Sequence, residues 1–116
     1  MKKPNYKMAR RNTEVQRALA EIIRGELKDP RIDPLLSVTA VEVAPDLKNC
    51  KAFISVLGDE KLKTDTLAGL KSAAGFIKSQ LARTLNMRST PDIKFVLDES
   101  IEYGAKISKL IEEAKL

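Results

Sequence analysis

Leu67-Ala68-Gly69-Leu70-Lys71-Ser72-Ala73-Ala74-Gly75-Phe76-Ile77-Lys78-Ser79-Gln80-Leu81 is the stretch on which the fold turns. Leu67, Leu70, Ala74, Ile77, Leu81 and, just beyond, Leu85 share one face of a long helical pattern. Within it, Ser72-Ala73-Ala74-Gly75-Phe76 puts small residues where a continuous helix would carry larger ones. Gly in a helix interior costs about 1 kcal/mol relative to Ala, so its presence asks for a reason. Two reasons are open at this point: the helix packs closely on a sheet, or it kinks and lets another backbone come near from outside.

Working toward the N-terminus, Gly58-Asp59-Glu60 separates this helix from the β-branched run Ala52-Phe53-Ile54-Ser55-Val56-Leu57. A second such run, Val38-Thr39-Ala40-Val41-Glu42-Val43, lies before the turn-forming Pro45-Asp46-Leu47-Lys48-Asn49, and the two predict an antiparallel hairpin. Further upstream, Val15, Ala18, Leu19, Ile22 and Ile23 mark the apolar face of a first helix, with Asn12 or Thr13 as its expected cap. That helix should end near Leu27, because Pro30 and Pro34 cannot continue it. Arg10, Arg17 and Arg24 fall on the opposite face among Glu14 and Glu21; for Arg17 a solvated stripe of ion pairs is sufficient explanation.

Toward the C-terminus, Pro91 precedes a third strand at 93–97, and Ser100 is placed to cap a last amphipathic helix through Ile101, Ile107, Leu110 and Ile111. The reading is a single α+β domain over residues 1–116, with a flexible basic start at 1–8 and a terminal helix at 100–116. Three strands carry helices on one face, making two layers. The core must be aliphatic, since only 4% of the residues are aromatic.

Charge is segregated along the chain. Residues 1–28 carry eight Lys or Arg against three Glu, and residues 61–94 carry seven against Asp65 and Asp92, while the segments between and after them are acidic. Such segregation fits a polyanion footprint. Lys2, Lys3, Lys7, Arg10 and Arg11 have too few acidic neighbours to be spent on ion pairs, so they are phosphate-contact candidates. The single Cys50 forms no intramolecular disulfide and reads as a buried thiol in a reducing, cytoplasmic setting. No run of about 18 apolar residues predicts a membrane span.

Enzyme chemistry has little to stand on. The chain has no histidine, the commonest general base and metal ligand, and its one cysteine cannot build a Cys-rich zinc site. Its five glycines match no phosphate loop or dinucleotide fingerprint. The adjacent acids Asp98-Glu99 and Glu112-Glu113 read as solvated surface. No catalytic residue, cofactor or metal is expected. The interrupted helix remains: Lys71 and Lys78 flank it, Arg83 and Arg88 follow, and small residues there would admit a nucleic-acid backbone, as the Gly-X-X-Gly loop of KH modules does.

Five segments in order carry a resemblance to the ribosome-binding factor A family: residues 10–17, Leu27-Lys28-Asp29-Pro30-Arg31, residues 41–47, Ala73-Ala74-Gly75-Phe76-Ile77-Lys78, and residues 91–100. The resemblance implies a type II KH-like fold in which an Ala-X-Gly kink, here Ala73-Ala74-Gly75, replaces Gly-X-X-Gly. It implies a non-catalytic assembly factor that binds the immature small ribosomal subunit through 16S rRNA, near the functionally important end of that rRNA and with ribosomal proteins as further candidate partners, and supports late rRNA maturation and growth in the cold. Arg10, Arg11, Lys71, Ala73, Ala74, Gly75, Lys78, Arg83 and Arg88 are the expected RNA-binding residues on a monomer. An adaptor that docks proteins on Asp29, Asp33, Glu42 and Asp46 is the alternative.

Overall fold

A computed structural model describes residues 6–100 and 108–113 of the chain. Six elements follow one another: α1 (Tyr6–Glu26), β1 (Ser37–Val43), β2 (Asn49–Ser55), α2 (Glu60–Ser72), α3 (Ala74–Leu85) and β3 (Asp92–Leu97). Strand β2 is central, antiparallel to β1 and parallel to β3. A parallel neighbour cannot be reached by a tight turn, so α2 and α3 form the crossover.

The register aligns Val41 with Ala52 and Phe95, and Val43 with Cys50 and Ile93. Because side chains alternate across a strand, one sheet face carries Val41, Val43, Cys50, Ala52, Ile54 and Phe95, all buried. They form one cluster with Val15, Leu19 and Ile22 of α1, Leu70 of α2, and Ile77 and Leu81 of α3. Glu42, Lys51 and Lys94 lie exposed in a row on the other face. The two-layer α+β reading therefore holds, with α1, α2 and α3 packed on one side.

Strand β1 is an edge, and α1 covers it. The Asn12 Oδ1 accepts from the Val43 N–H at 2.9 Å, and the Gln16 Nε2 donates to the carbonyls of Val38 (3.0 Å) and Thr39 (3.3 Å). Asn12 and Gln16 are four residues apart and so share a helix face. This corrects the expected cap: α1 starts at Tyr6, Asn12 and Thr13 lie inside it, and Thr13 Oγ1 donates back to the Ala9 carbonyl. Asn12 is retained in a helix interior because a strand edge uses its oxygen. Residues 6–8, expected in a flexible start, are helical.

Strand β2 begins and ends earlier than its β-branched run suggests. Pairing starts at Asn49, opposite Asp92, and stops at Ser55, leaving Val56 buried and Leu57 exposed beyond the strand. Pairing on both sides, rather than propensity, sets these ends. At the Ser55 end of the sheet, β1 slips register between Val38 and Ala40, and the Thr39 hydroxyl reaches Asp98 Oδ2 at 2.6 Å. Asp98 also accepts from the Ser100 N–H at 2.9 Å, while the residues Ser100 was expected to cap lie outside the described residues. Hydrogen bonds from Ser100 and Thr39 hold the Asp98 carboxyl below its ordinary range. Residues 108–113 are helical with Leu110 and Ile111 about half exposed, whereas Ile101 and Ile107 lie outside the described residues.

Close helix packing occurs at Gly69 instead of Gly75. A Cβ on Gly69 would stand 2.6 Å from Ile32 Cγ1, in the connector between α1 and β1, where buried Thr66 also bonds the Asp33 N–H and the Arg31 carbonyl. A Cβ on Gly75 would meet nothing within 4 Å. Gly69→Ala should destabilise by about 1–3 kcal/mol through overpacking. Gly75→Ala should stabilise by about 0.4–1 kcal/mol, through the lower entropy of the unfolded chain. Urea unfolding midpoints moving in opposite directions would confirm the contrast.

Cys50 is a free, buried thiol. Burial, and secondarily the charge of Asp92, push its pKa from 9.0 up to about 11. The fold thus favours the neutral thiol, a contribution intact below about pH 9 and lost as pH climbs through about 11. At pH 8 a thiol reagent should label Cys50 slowly in the native protein and completely in urea.

Candidate nucleic-acid interface

The long helical pattern is broken at a single residue. Asp59 caps α2 by accepting from the Leu62 N–H at 2.9 Å, and the helix ends at Ala73, where φ −91° and ψ 0° leave helical geometry. Helix α3 resumes at Ala74 with no side-chain cap. Its C-terminus is closed by Asn86 in the left-handed region (φ 50°), from which the Met87 N–H returns to the Ala82 carbonyl at 3.2 Å. Asn tolerates this conformation well, and the turn throws Arg88 clear of the helix.

Connectivity fixes where each cation lies. Helix α3 leads to Asp92, whose N–H bonds the Lys48 carbonyl at the hairpin end of the sheet. The break before α3 lies toward the other end, where Gly69 meets Ile32 and Arg31. Helix α1 runs the opposite way, since Asn12 meets Val43 beside the hairpin and Gln16 meets Val38 farther along. The expected RNA-binding residues are therefore drawn out along an antiparallel α1–α3 pair: Lys71, Ala73, Ala74 and Gly75 toward one end, Arg83, Arg88, Arg10 and Arg11 toward the other. Twelve residues of α3 span about 18 Å at 1.5 Å per residue.

The cations differ in how they are spent. Lys71, Arg83 and Arg88 are exposed and hold no ion pair among the described residues. Lys78 is half-buried, with its Nζ 2.7 Å from Asp92 Oδ1, so it ties α3 to the start of β3. Arg10 pairs loosely with Glu14 at 3.4 Å on an exposed surface. Arg11 is half-buried in a groove of about 370 Å³ shared with Lys7, Met8, Pro45 and Leu47. Leu47 holds a φ of 60°, which is costly for a branched side chain, and this strained turn presents it to the α1 groove. Ala73 and Ala74 are half-buried and Gly75 exposed, so the surface at the break is low and open. Lys2 and Lys3 lie outside the described residues.

The acidic surface considered for an adaptor is dispersed. Asp29 binds the Arg31 backbone and guanidinium at 2.8 and 2.7 Å, and those bonds hold its carboxyl below the usual range. Asp33 and Asp46 each accept a backbone N–H two residues on, at opposite ends of the sheet. Of the adjacent acids, Asp98 faces Thr39 while Glu99 lies 3.7 Å from buried Lys63. Among the described residues no group of acids or Cys could hold a metal, and no helix is long and apolar enough to cross a membrane.

The model of the family described as ribosome-binding factor A matches residues 7–111. The chain belongs to the ribosome-binding factor A family. The ribosome-binding factor A of Lachnospira eligens is 64% identical over 113 residues, 97% of this chain and 87% of the relative. The crystal structure of ribosome-binding factor A from Thermus thermophilus superposes with a TM-score of 0.71 at 30% identity, covering 80% of this chain and 97% of that one. A homology model of the Thermus thermophilus factor, fitted into a cryo-EM map of its complex with the 30S subunit, matches with a TM-score of 0.64 at 31% identity over 76% of this chain and 91% of that one. The α-β-β-α-α-β order with a parallel third strand is the type II KH-like fold the resemblance implied.

Sequence reading missed Phe76, an exposed aromatic directly after Gly75, and the pairing that removes Lys78 from the open cations. The first had a signal: residues 66–91 contain no Asp or Glu, so the charged residues near Phe76 along the chain are all cations. The second depended on a long-range approach. Because the Lys78–Asp92 pair is largely solvated, Lys78→Ala should cost under about 1 kcal/mol, a difference that high salt erases in thermal unfolding.

Proposed function

We propose that this protein is a non-catalytic, monomeric assembly factor of the cytoplasm. It binds the immature small ribosomal subunit through 16S rRNA and supports late rRNA maturation and processing, including in the cold. It needs no cofactor. The reading rests on family membership together with the 30S complex into which a relative with the same fold was fitted. The charge of the helical layer supports it: residues 66–91 carry four Lys or Arg and no acid.

In this reading Arg10, Arg11, Lys71, Arg83 and Arg88 contact phosphates. Ala73, Ala74 and Gly75, at an Ala-X-Gly kink, leave room for the RNA backbone, and Lys78 orients α3 through Asp92 while adding little free charge. The low surface over Gly75 favours recognition of folded rRNA by shape and charge.

A second reading has one observation in its favour. Leu35 is 86% exposed beside a cleft of about 620 Å³ lined by Ile23, Leu27, Ile32 and Leu36, a surface suited to a protein partner.

Sedimentation with small subunits, whole ribosomes and naked rRNA across a salt series separates the two. Salt-sensitive binding to small subunits is the expected result, whereas binding that survives nuclease and high salt would favour the adaptor. Lys71→Ala, Arg83→Ala and Arg88→Ala should each weaken binding and lower the log–log salt slope by about 0.7–0.9, while Lys78→Ala should change it less.

A further inference from the structure

We propose that Phe76 is a stacking platform for one unpaired RNA base, which makes the helix break a single-strand contact as well as a phosphate contact. The inference rests on the RNA-binding reading above and names the nucleic-acid feature recognised at that site.

The chain has three phenylalanines. Phe95 is buried in the sheet and Phe53 is half-buried in the central strand, but Phe76 stands 44% exposed in the first turn of α3. Fully burying such a side chain would contribute about 1.5–3 kcal/mol, and the fold leaves much of that unused. Single exposed hydrophobics are ordinary; the surroundings of this one are not. Ser79 stands one turn farther along α3, Ser72 ends α2 across the break, and directly before the ring is Gly75, whose Cβ direction is empty to 4 Å. All three are small and exposed, which leaves open ground beside the ring. Lys71 and Arg83, exposed and unpaired among the described residues, flank it along the same helices.

An aromatic ring, open small-residue ground and flanking cations with no acid from residue 66 to 91 match the chemistry of a base with its phosphates. A protein hot spot would draw on the same aromatic, but a stretch with four cations and no acid along residues 66–91 favours a polyanion. Stacking requires a base with a free face. Bases inside a duplex are stacked on both sides, so the ligand is a loop, bulge or end.

The chain contains no tryptophan, so Phe76→Trp places a single tryptophan at the site, whose emission is selected over that of the two tyrosines by excitation at the red edge. Titrating this variant with a ten-nucleotide single-stranded RNA, and separately with a fully paired RNA duplex, should give saturable quenching with the single strand only. Phe76→Leu, which keeps an apolar side chain but no ring, should weaken single-strand binding about 5- to 150-fold, the fold-change of one lost stacked base, with the salt slope unchanged. The thermal midpoint of each variant checks that the fold persists. Anisotropy showing bound RNA while the tryptophan stays unquenched would overturn the proposal and leave the RNA-binding reading intact. So would unchanged affinity of Phe76→Leu for naked rRNA alongside weaker binding to subunits, which would mark a protein contact. Failure of the unmodified protein to bind any RNA would overturn both.

Discussion

A three-stranded sheet has two edges, and each edge exposes backbone groups that must find partners. Here β1 is closed by α1 through two side chains, Asn12 on the Val43 N–H and Gln16 on the Val38 and Thr39 carbonyls. That constraint sets the line of α1 along β1, and the rest of the helical layer follows from it. Val15, Leu19 and Ile22 are turned onto the core, and α3 fills the remaining width with Ile77 and Leu81. Because α1 starts beside the hairpin and α3 ends there, the two helices run antiparallel and their outward cations form an extended track.

The break at Ala73 belongs to the same geometry. Helix α2 must pass close over the connector, where Gly69 gives space to Ile32 and Thr66 bonds the Arg31 and Asp33 backbone. Helix α3 must then lie against α1 and return to Asp92 at the far end of the sheet. Two short helices with one residue between them satisfy both demands. The small residues of this segment thus divide their tasks: Gly69 faces inward and permits packing, whereas Gly75 faces outward over open space. A sequence interruption that looks like one feature is two, with opposite energetic consequences on substitution.

Electrostatics separates along similar lines. Asp29, Asp33 and Asp46 are committed to local turns, and Asp98 to Thr39 and Ser100, so these four carboxylates hold connections in place. Lys63 and Lys78 are held by carboxylates as well. On the helical layer, Lys71, Arg83 and Arg88 remain open along the same stretch as an exposed aromatic. Family membership gives that surface its biological setting, while its local chemistry comes from this chain's own residues.

The sequence by itself determined the element order, the inward-facing residues and the aliphatic core, because helical and strand periodicities record which side of an element faces water. It also carried the charge blocks and the family segments, which are local strings. The ends of α1 and β2 were not legible, since Asn12 serves a strand edge more than 30 residues away and β2 is bounded by pairing on both sides. Nor could local spacing tell which glycine is pressed by Ile32, which lysine is neutralised by Asp92, or that Phe76 stands clear. Those outcomes depend on approaches between residues far apart in the chain, and only tertiary packing decides them.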